Sequence, residues 1–217
     1  MTKSARTFLF AHLRTASGGW QALHDHLSPV LAGWQDTAVL GSFTGLFGIS
    51  NQELFVLLSR PVSERVTDRV AGQVTDQMTE PLRTLLPAGV EMVDSLWLDA
   101  TVRPTHDAPL TRAGVYVFRF FQVNACDCDE VVSLSSQAWQ TFENSDSYTS
   151  EPMGLFRFAD TSAIRGRMLL LTWYDNMTSW ERSRTPHPDA TANFRRRASL
   201  SRSIVAYATR LADTVPR

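Results

Sequence analysis

The sequence has few cysteines, no long apolar run and no excess of positive charge. Its two cysteines, in Cys126-Asp127-Cys128, are too few for a disulfide framework and lack a second ligand pair for zinc. The 21 basic residues are balanced by 22 acidic ones, whereas nucleic-acid binders carry a basic footprint. No run approaches the roughly 18 apolar residues of a membrane span. We therefore expect neither nucleic acid nor a membrane as a partner.

Several catalytic motifs are also missing. No glycine-rich loop follows a strand, and no Gly-Lys-Ser/Thr sequence is present to bind a nucleotide. The Gly-x-Ser-x-Gly motif of serine hydrolases does not occur. Residues 1–4 are polar and show no apolar signal-peptide region, so we expect a cytoplasmic protein. With 217 residues and 43% hydrophobic content, the chain can build one large core or two small ones.

The second half of the chain repeats the layout of the first. Each half reads strand, helix, two strands around a turn, helix, strand, and Gly45-Leu46-Phe47 recurs as Gly154-Leu155-Phe156. A repeat of about a hundred residues is too long for a solenoid unit and indicates two fused copies of one small domain. We place the domains at residues 5–104 and 112–215, joined by a proline-containing linker.

Hydrophobic periodicity predicts the elements of each copy. In the first copy they are a strand at 7–13, a helix at 20–33, strands at 37–47 and 53–59, a helix at 62–78 and a strand at 90–102. In the second they are a strand at 114–123, a helix to residue 142, strands at 152–158 and 166–174, a helical region at 176–200 interrupted at 185–188, and a strand at 203–211. Pro29 is expected to kink or split the first helix.

This order of elements predicts an α+β fold. A β-α-β-β-α-β unit is a ferredoxin-like domain with one antiparallel sheet and helices on one face. The strands here are apolar on the other face as well, so that face must be covered, and the matching sheet of the other copy is the natural cover. We therefore predict two sheets that face each other in a barrel, with helices outside and side chains or one small ligand inside.

The stretch from Leu169 to His187 resembles the third strand and second helix of the dimeric α+β barrel superfamily. Trp173, Asp175 and Trp180 match a strand that ends in tryptophan, a short acidic turn and a helix that begins with an aromatic residue. Proteins similar to antibiotic-biosynthesis monooxygenases and to NIPSNAP show this outline. The resemblance implies a pocket between sheet and helices for a hydrophobic or aromatic compound. Activities in these families include cofactor-free oxygenation, isomerisation, dehydration, lyase chemistry and haem-dependent reactions.

Four residues are candidates for catalysis. Arg119 interrupts an aromatic strand, and a buried arginine must pair or reach water, so it could hold a substrate carboxylate or enolate, or an acid such as Asp99. His12 alternates with apolar residues and could act as a general base. Tyr116 could donate a hydroxyl proton, and His187 could lie at a cavity mouth.

A further set of residues is expected to bind the substrate. These are Phe118, Trp139, Tyr174, Trp180, Tyr207 and His24. His24 and His26 diverge on a helix, so no metal site is predicted. Haem-degrading relatives place a tryptophan and an iron ligand near Trp180 and His187. We expect no cofactor, with haem as an alternative.

The residues together predict a small-molecule enzyme. Its expected chemistry is cofactor-independent acid–base catalysis on a hydrophobic or aromatic compound, as a lyase, isomerase or oxygenase. The alternatives are a non-catalytic ligand-binding or interaction protein of the same fold and, third, a haem-dependent enzyme. We expect the pocket in the second copy, with a rival site around His12, His24 and Trp20 in the first. Because both sheets lie on one chain, we expect a monomer or a homodimer.

Overall fold

The structure is a computed structural model that describes residues 6–61, 76–158, 165–185 and 188–215. Eight strands and five α-helices are found in these residues. The first half contains β1 (Arg6–Thr15), α1 (Trp20–Ala32), β2 (Ala38–Phe47), β3 (Glu53–Pro61), α2 (Asp76–Leu85) and β4 (Val90–Ala100). The second half contains β5 (Val115–Asn124), α3 (Cys128–Phe142), β6 (Ser150–Phe158), β7 (Arg165–Tyr174), α4 (Met177–Arg182), α5 (Pro188–Leu200) and β8 (Ser201–Leu211).

The eight strands form one closed barrel. Their order around it is β1-β3-β2-β8-β5-β7-β6-β4, and β4 pairs with β1 to complete the circle. The strands of each half are contiguous, in the orders 4-1-3-2 and 8-5-7-6, which are the same order in two copies. The predicted pair of ferredoxin-like repeats in a dimeric α+β barrel arrangement is therefore confirmed. The positions of the domain boundaries remain a prediction.

The two repeats meet at two short seams. β2 pairs with β8 from Phe43 to Phe47, and β4 pairs with β6 only from Leu98 to Ala100. Inside each repeat the pairing is longer, and β5 pairs with β7 over the full length of β5. All strand pairs in the barrel are antiparallel, so neighbouring side chains alternate between the interior and the helix-covered outside.

The register shows which residues are equivalent in the two repeats. A bulge in β2 places Gly41 opposite Leu57, and a bulge in β6 places Gly154 opposite Leu171. At both glycines an added Cβ would collide with the ring of the phenylalanine two residues later, Phe43 or Phe156. The structural counterpart of Gly154 is therefore Gly41. The match with Gly45 found in the sequence identifies the right strand but is wrong by four residues.

Side chains fill most of the barrel interior. Its core is a buried cluster rich in aromatic residues, in which Phe118 contacts the rings of Phe10, Phe43 and Phe55 at centroid distances of 5.8, 4.8 and 5.4 Å. Offset and edge-to-face contacts of this kind suit the charge distribution of the rings. The outer faces of the two sheets pack separately against the helices.

The helices differ from the sequence prediction in detail. α1 is not split at Pro29 but continues to Ala32, and the amide of Gly33 donates to the carbonyl of Pro29. Of the predicted helix at 62–78, residues 62–75 lie outside the described part of the chain, and the described helix α2 ends at Leu85. The predicted interruption at 185–188 separates α4 from α5. No helix in the described ranges is long and apolar enough to cross a membrane.

Candidate functional site

A cavity of about 260 Å³ lies between the second-repeat sheet and its helices. It is lined by Arg119 on β5, Pro152 on β6, Leu170, Thr172 and Tyr174 on β7, Trp139 and Phe142 on α3, Ser183 and Arg184 after α4, and Phe194 and Arg197 on α5. Most of this surface is apolar or aromatic, with a few polar groups pointing inward, which is the usual form of a small-molecule site. We call it the helix–sheet cavity.

Strand alternation turns Arg119 toward this cavity. Its neighbours Phe118 and Phe120 belong to the barrel interior, so the side chain between them must point to the other face of β5. On β7 the residue in register with Arg119 is Leu170, which also lines the cavity. Arg119 is half-buried there. Among the described residues, no aspartate or glutamate forms an ion pair with it, and Asp99 lies on β4, three strands away.

Arg197 reaches the same cavity from α5. Its guanidinium donates to the Ser135 hydroxyl at 3.4 Å and lies 5.0 Å from the centre of the Phe194 ring. Its neighbour Arg196 instead forms a bidentate pair with Glu130 on the exposed side of the helices. Arg197 has no such partner among the carboxylates of the described residues.

The two guanidinium groups disfavour each other's charge. Burial and, secondly, the positive charge of Arg119 lower the pKa of Arg197 to about 10, with an opposing effect from Tyr174. Arg197, which remains protonated at neutral pH, is thus repelled by Arg119. An anion bound between them would relieve the repulsion, so the cavity has a positive electrostatic potential that favours negatively charged ligands.

Two hydroxyl groups lie at one side of the cavity. Tyr174 is almost completely buried, and its hydroxyl is hydrogen bonded to that of Ser183 at 3.3 Å. The Ser183 hydroxyl is also 2.7 Å from the carbonyl oxygen of Trp180. This short chain holds the Tyr174 hydroxyl in place.

The described lining does not fit haem. Haem iron is held by histidine, cysteine, methionine or tyrosine, and Tyr174 is the only described cavity residue of these types. Its hydroxyl is already bonded to Ser183. The volume is also below the roughly 300–1,000 Å³ usual for drug-sized ligands. His187, the ligand suggested by the resemblance, lies outside the described residues, and no cluster of potential metal ligands occurs within them.

The equivalent place in the first repeat differs in its described residues. By register, Ala11 on β1 is the counterpart of Arg119, and it is completely buried. Trp20, Leu23 and Leu27 of α1 pack there in a hydrophobic cluster. The two repeats have thus kept the same backbone layout but differ in what lies between sheet and helices.

The structure brings together only part of the predicted site. Arg119, Trp139 and Tyr174 line the helix–sheet cavity, and their role in binding or catalysis remains a prediction. Tyr116 and Phe118 belong to the barrel interior, so their expected place beside Arg119 is wrong, because adjacent strand residues face opposite ways. The Tyr116 hydroxyl donates to the carbonyl of Arg112, and burial raises the pKa of Tyr116 to about 12.

The remaining predicted residues are dispersed. Trp180 packs against the hydrophobic cluster beside the cavity, and its buried indole Nε1 has no partner among the described residues. His24 is buried on α1, and its Nε2 atom lies 2.9 Å from a carboxylate oxygen of Asp213. His12 and Tyr207 lie at one end of the barrel interior, on the other face of the sheet from His24. The rival site proposed around His12 and His24 is therefore not a single site.

From the sequence, Arg197 is interpreted together with its neighbours as part of a charged helix face, with anion binding as the alternative. It lies in the run Arg195-Arg196-Arg197, which has the composition of a solvated helix face. The available signal was the spacing of Phe194 and Arg197, three residues apart and therefore on one side of α5. Thr172 and Ser183 also line the cavity and carried no distinctive pattern.

No protein-family model matches the sequence, and no curated protein matches it. Solved structures do match its fold over almost the whole chain. An anthrone oxidase-like protein is 11% identical with a TM-score of 0.61, and the match covers 97% of this chain and 92% of the other. A chlorite dismutase mutant from Candidatus Nitrospira defluvii is 8% identical with a TM-score of 0.59, covering 96% and 92%.

A third solved structure links the fold to the family named by the sequence resemblance. It is an uncharacterised ferredoxin-fold protein related to antibiotic biosynthesis monooxygenases, from Listeria monocytogenes. It is 7% identical to this chain with a TM-score of 0.50, and the match covers 96% of this chain and 95% of the other. The chain has the fold of the dimeric α+β barrel superfamily, with both ferredoxin-like repeats in one polypeptide.

Proposed function

We propose that this protein is an enzyme that acts on a hydrophobic or aromatic compound through its anion, in the helix–sheet cavity and without a cofactor. One observation carries the proposal. Arg119 and Arg197 both face an otherwise largely apolar cavity, and neither has a carboxylate partner among the described residues. Uncompensated charge of one sign in such a place is costly, and a ligand of opposite charge would offset the cost.

The walls of the cavity favour an aromatic ligand. Trp139, Phe142 and Phe194 present aromatic surface from two helices, and rings pack well against such surface in offset or edge-to-face contacts. A carboxylate, enolate or phenolate group on the ligand would lie between the two arginines. An arginine can bind such a group with two parallel hydrogen bonds.

The arrangement suits reactions that pass through an enolate or phenolate. Two fixed positive charges stabilise the anion more than its neutral parent and thereby lower the pKa of an acidic C–H or O–H bond. The proton leaves to water at the open side of the cavity. Its return to another carbon gives isomerisation. Reaction of the carbanion with dioxygen converts CH₂ and O₂ into C=O and H₂O, which is oxygenation.

The fold match to an anthrone oxidase-like protein supports the choice of a probe. Anthrone is a flat aromatic ketone with an acidic CH₂ group. Its enolate therefore combines the aromatic surface and the negative charge that the cavity favours. We expect it to bind as the anion and to consume dioxygen faster than in buffer. Binding is measured by the absorbance of the anthrone anion, and turnover by an oxygen electrode.

The Arg119→Met variant tests the assignment. Loss of one charge next to the bound anion is expected to reduce kcat/KM by about 30-fold or more, which corresponds to roughly 2 kcal/mol. Arg157→Met is the matched control, because Arg157 lies on β6 of the same sheet but is half-exposed and outside the cavity. Equal activity of Arg119→Met and wild type would overturn the assignment of the site. Binding that depends on Arg119 without any oxygen uptake or isomerisation would favour the alternative, a ligand-binding protein.

A further inference from the structure

A second cavity, of about 210 Å³, opens at one end of the barrel interior. It lies on the interior face of the sheet, whereas Arg119 and Arg197 lie on the helix-covered face. We call it the barrel-mouth cavity. Its lining residues are Phe10, His12, Phe55, Asp94, Phe120, Phe121, Gln122, Arg167, Val205 and Tyr207. It plays no part in the proposed function.

The floor of this cavity is aromatic. The Phe10 ring lies 4.9 Å from Phe55 and 5.0 Å from Phe120, between centroids, and Tyr207 lies 5.4 Å from Phe55. The packing of these rings leaves an apolar surface at the bottom of the barrel mouth. A ring-shaped ligand could continue the same edge-to-face pattern.

The charged groups around the rim are already paired. Asp94 forms an ion pair with Arg167 at 2.8 Å. Glu53 is buried beside His12. One of its carboxylate oxygens lies 2.6 Å from the guanidinium group of Arg14, and the other accepts a hydrogen bond from the Ser50 amide at 3.0 Å. These bonds outweigh the effect of burial, so the pKa of Glu53 is below its ordinary value and the carboxylate is ionised. The rim is therefore neutral overall, with two acids and two bases.

Two polar side chains face the cavity. The buried Nε2 atom of His12 lies 3.3 Å from a carboxylate oxygen of Glu53, within ion-pair distance, but it has no aligned hydrogen bond among the described residues. The imidazole packs edge-on against Phe55 at 4.8 Å. The half-buried side chain of Tyr207 also lines the cavity and carries a hydroxyl group. Polar groups placed against apolar surface without partners are costly unless a ligand or water bonds them.

We propose that the barrel-mouth cavity binds a neutral, single-ring aromatic alcohol of the phenol class. The ring would lie on the aromatic floor, and the hydroxyl would bond His12 and Tyr207, since a hydroxyl both donates and accepts. An anionic ligand would meet the carboxylates of Glu53 and Asp94. A cationic ligand would be repelled by Arg14 and Arg167, which already form ion pairs with those carboxylates. The volume accommodates one ring with a small substituent.

Calorimetric titration with phenol tests the proposal, and benzoate is the charged comparison. We expect saturable phenol binding to the full chain and benzoate binding at least tenfold weaker at this site. His12→Leu, which keeps the bulk but removes the hydrogen bond, is expected to weaken phenol binding about tenfold. Val205→Trp is a second variant. Val205 is 47% exposed at the rim, so a larger side chain can be accepted there while it obstructs the entrance.

Arg119→Met is the control, because it changes the other cavity, and phenol binding is expected to be unchanged by it. Absence of saturable binding to the wild type would overturn the proposal. So would an unchanged affinity in both His12→Leu and Val205→Trp, or a loss of phenol binding in Arg119→Met alone. These outcomes are independent of anthrone turnover, so failure of one proposal is distinguishable from failure of the other.

Discussion

Replacing Arg119 with methionine should stabilise the ligand-free protein while it weakens anion binding. Burial and, secondly, Arg119 lower the pKa of Arg197 from its ordinary value to about 10, a shift of more than two pKa units. One pKa unit corresponds to about 1.4 kcal/mol, so the folded state disfavours the charge of Arg197 by about 3 kcal/mol. The larger part belongs to burial. We therefore expect Arg119→Met to raise the free energy of unfolding by about 1 kcal/mol.

The size of this effect depends on pH. The folded protein releases the Arg197 proton at a lower pH than the unfolded chain does, so the folded state binds fewer protons above about pH 10. The penalty is complete at neutral pH and declines only above about pH 10. Urea denaturation at pH 7 in low salt is therefore the appropriate assay, because the full penalty is present at this pH and salt screening is weak.

The matched control for this measurement is Arg157→Met. Arg157 is half-exposed, 3.7 Å from a fully exposed Asp129, and its replacement should change stability by less than about 0.5 kcal/mol. A loss of about 1 kcal/mol or more in Arg119→Met would refute the repulsion argument and indicate a stabilising partner for Arg119. An equal gain in both variants would attribute the effect to net charge rather than to the cavity.

Three further predictions concern the barrel. Fragments 1–105 and 110–217, expressed separately, should each expose an apolar sheet face and aggregate or self-pair in size-exclusion chromatography. Glu53→Gln should lower the unfolding free energy at pH 7 by about 1–2 kcal/mol, because it weakens the pairing with Arg14. Since folding lowers the pKa of Glu53, that difference should shrink as the pH falls below about 4. Phe118→Ala should cost about 3–5 kcal/mol in urea denaturation, because the ring is completely buried among other rings.

Each of these predictions has a clear contrary result. Two soluble, monomeric and stable fragments would argue against a barrel whose sheets depend on each other. A Glu53→Gln difference that stays constant down to pH 3 would mean that the carboxylate is not held ionised by folding. For Phe118→Ala the comparison is Phe47→Ala, because Phe47 is 62% exposed and its loss should cost less than about 0.5 kcal/mol.

The barrel could be predicted because alternate residues of a strand lie on opposite faces of the sheet, so the sequence shows whether each face is apolar. β5 carries apolar residues on both sides, and this requires a second layer on each. The same alternation could have separated Tyr116 from Arg119, since they are three residues apart on one strand and must face opposite ways. The prediction grouped residues by chemical type and not by the face of the strand on which they lie. It therefore placed Tyr116 beside Arg119, whereas Tyr116 lies in the barrel interior.

Other features depend on information that local pattern does not carry. Gly41 is the counterpart of Gly154 because both β2 and β6 contain a bulge. A bulge shifts the strand register, and its position is visible only once the pairing of the strands is known. Arg197 enters the cavity because α5 packs against α3 at a particular rotation, and three successive arginines on a helix point in three directions. Trp139 and Tyr174 could be grouped with Arg119 from the sequence because all three belong to long elements whose faces are set by periodicity.

Because the two repeats lie on one chain, their sequences can differ and the barrel need not be symmetric. In a dimer of identical chains, any substitution appears twice, so a hollow made on one side is made on the other, and its cost in stability is doubled. Here the first repeat places the small, buried Ala11 where the second repeat places Arg119, so the positive charge of the helix–sheet cavity belongs to one repeat. A ligand of the helix–sheet cavity should accordingly bind with a stoichiometry of one per chain, not one per repeat.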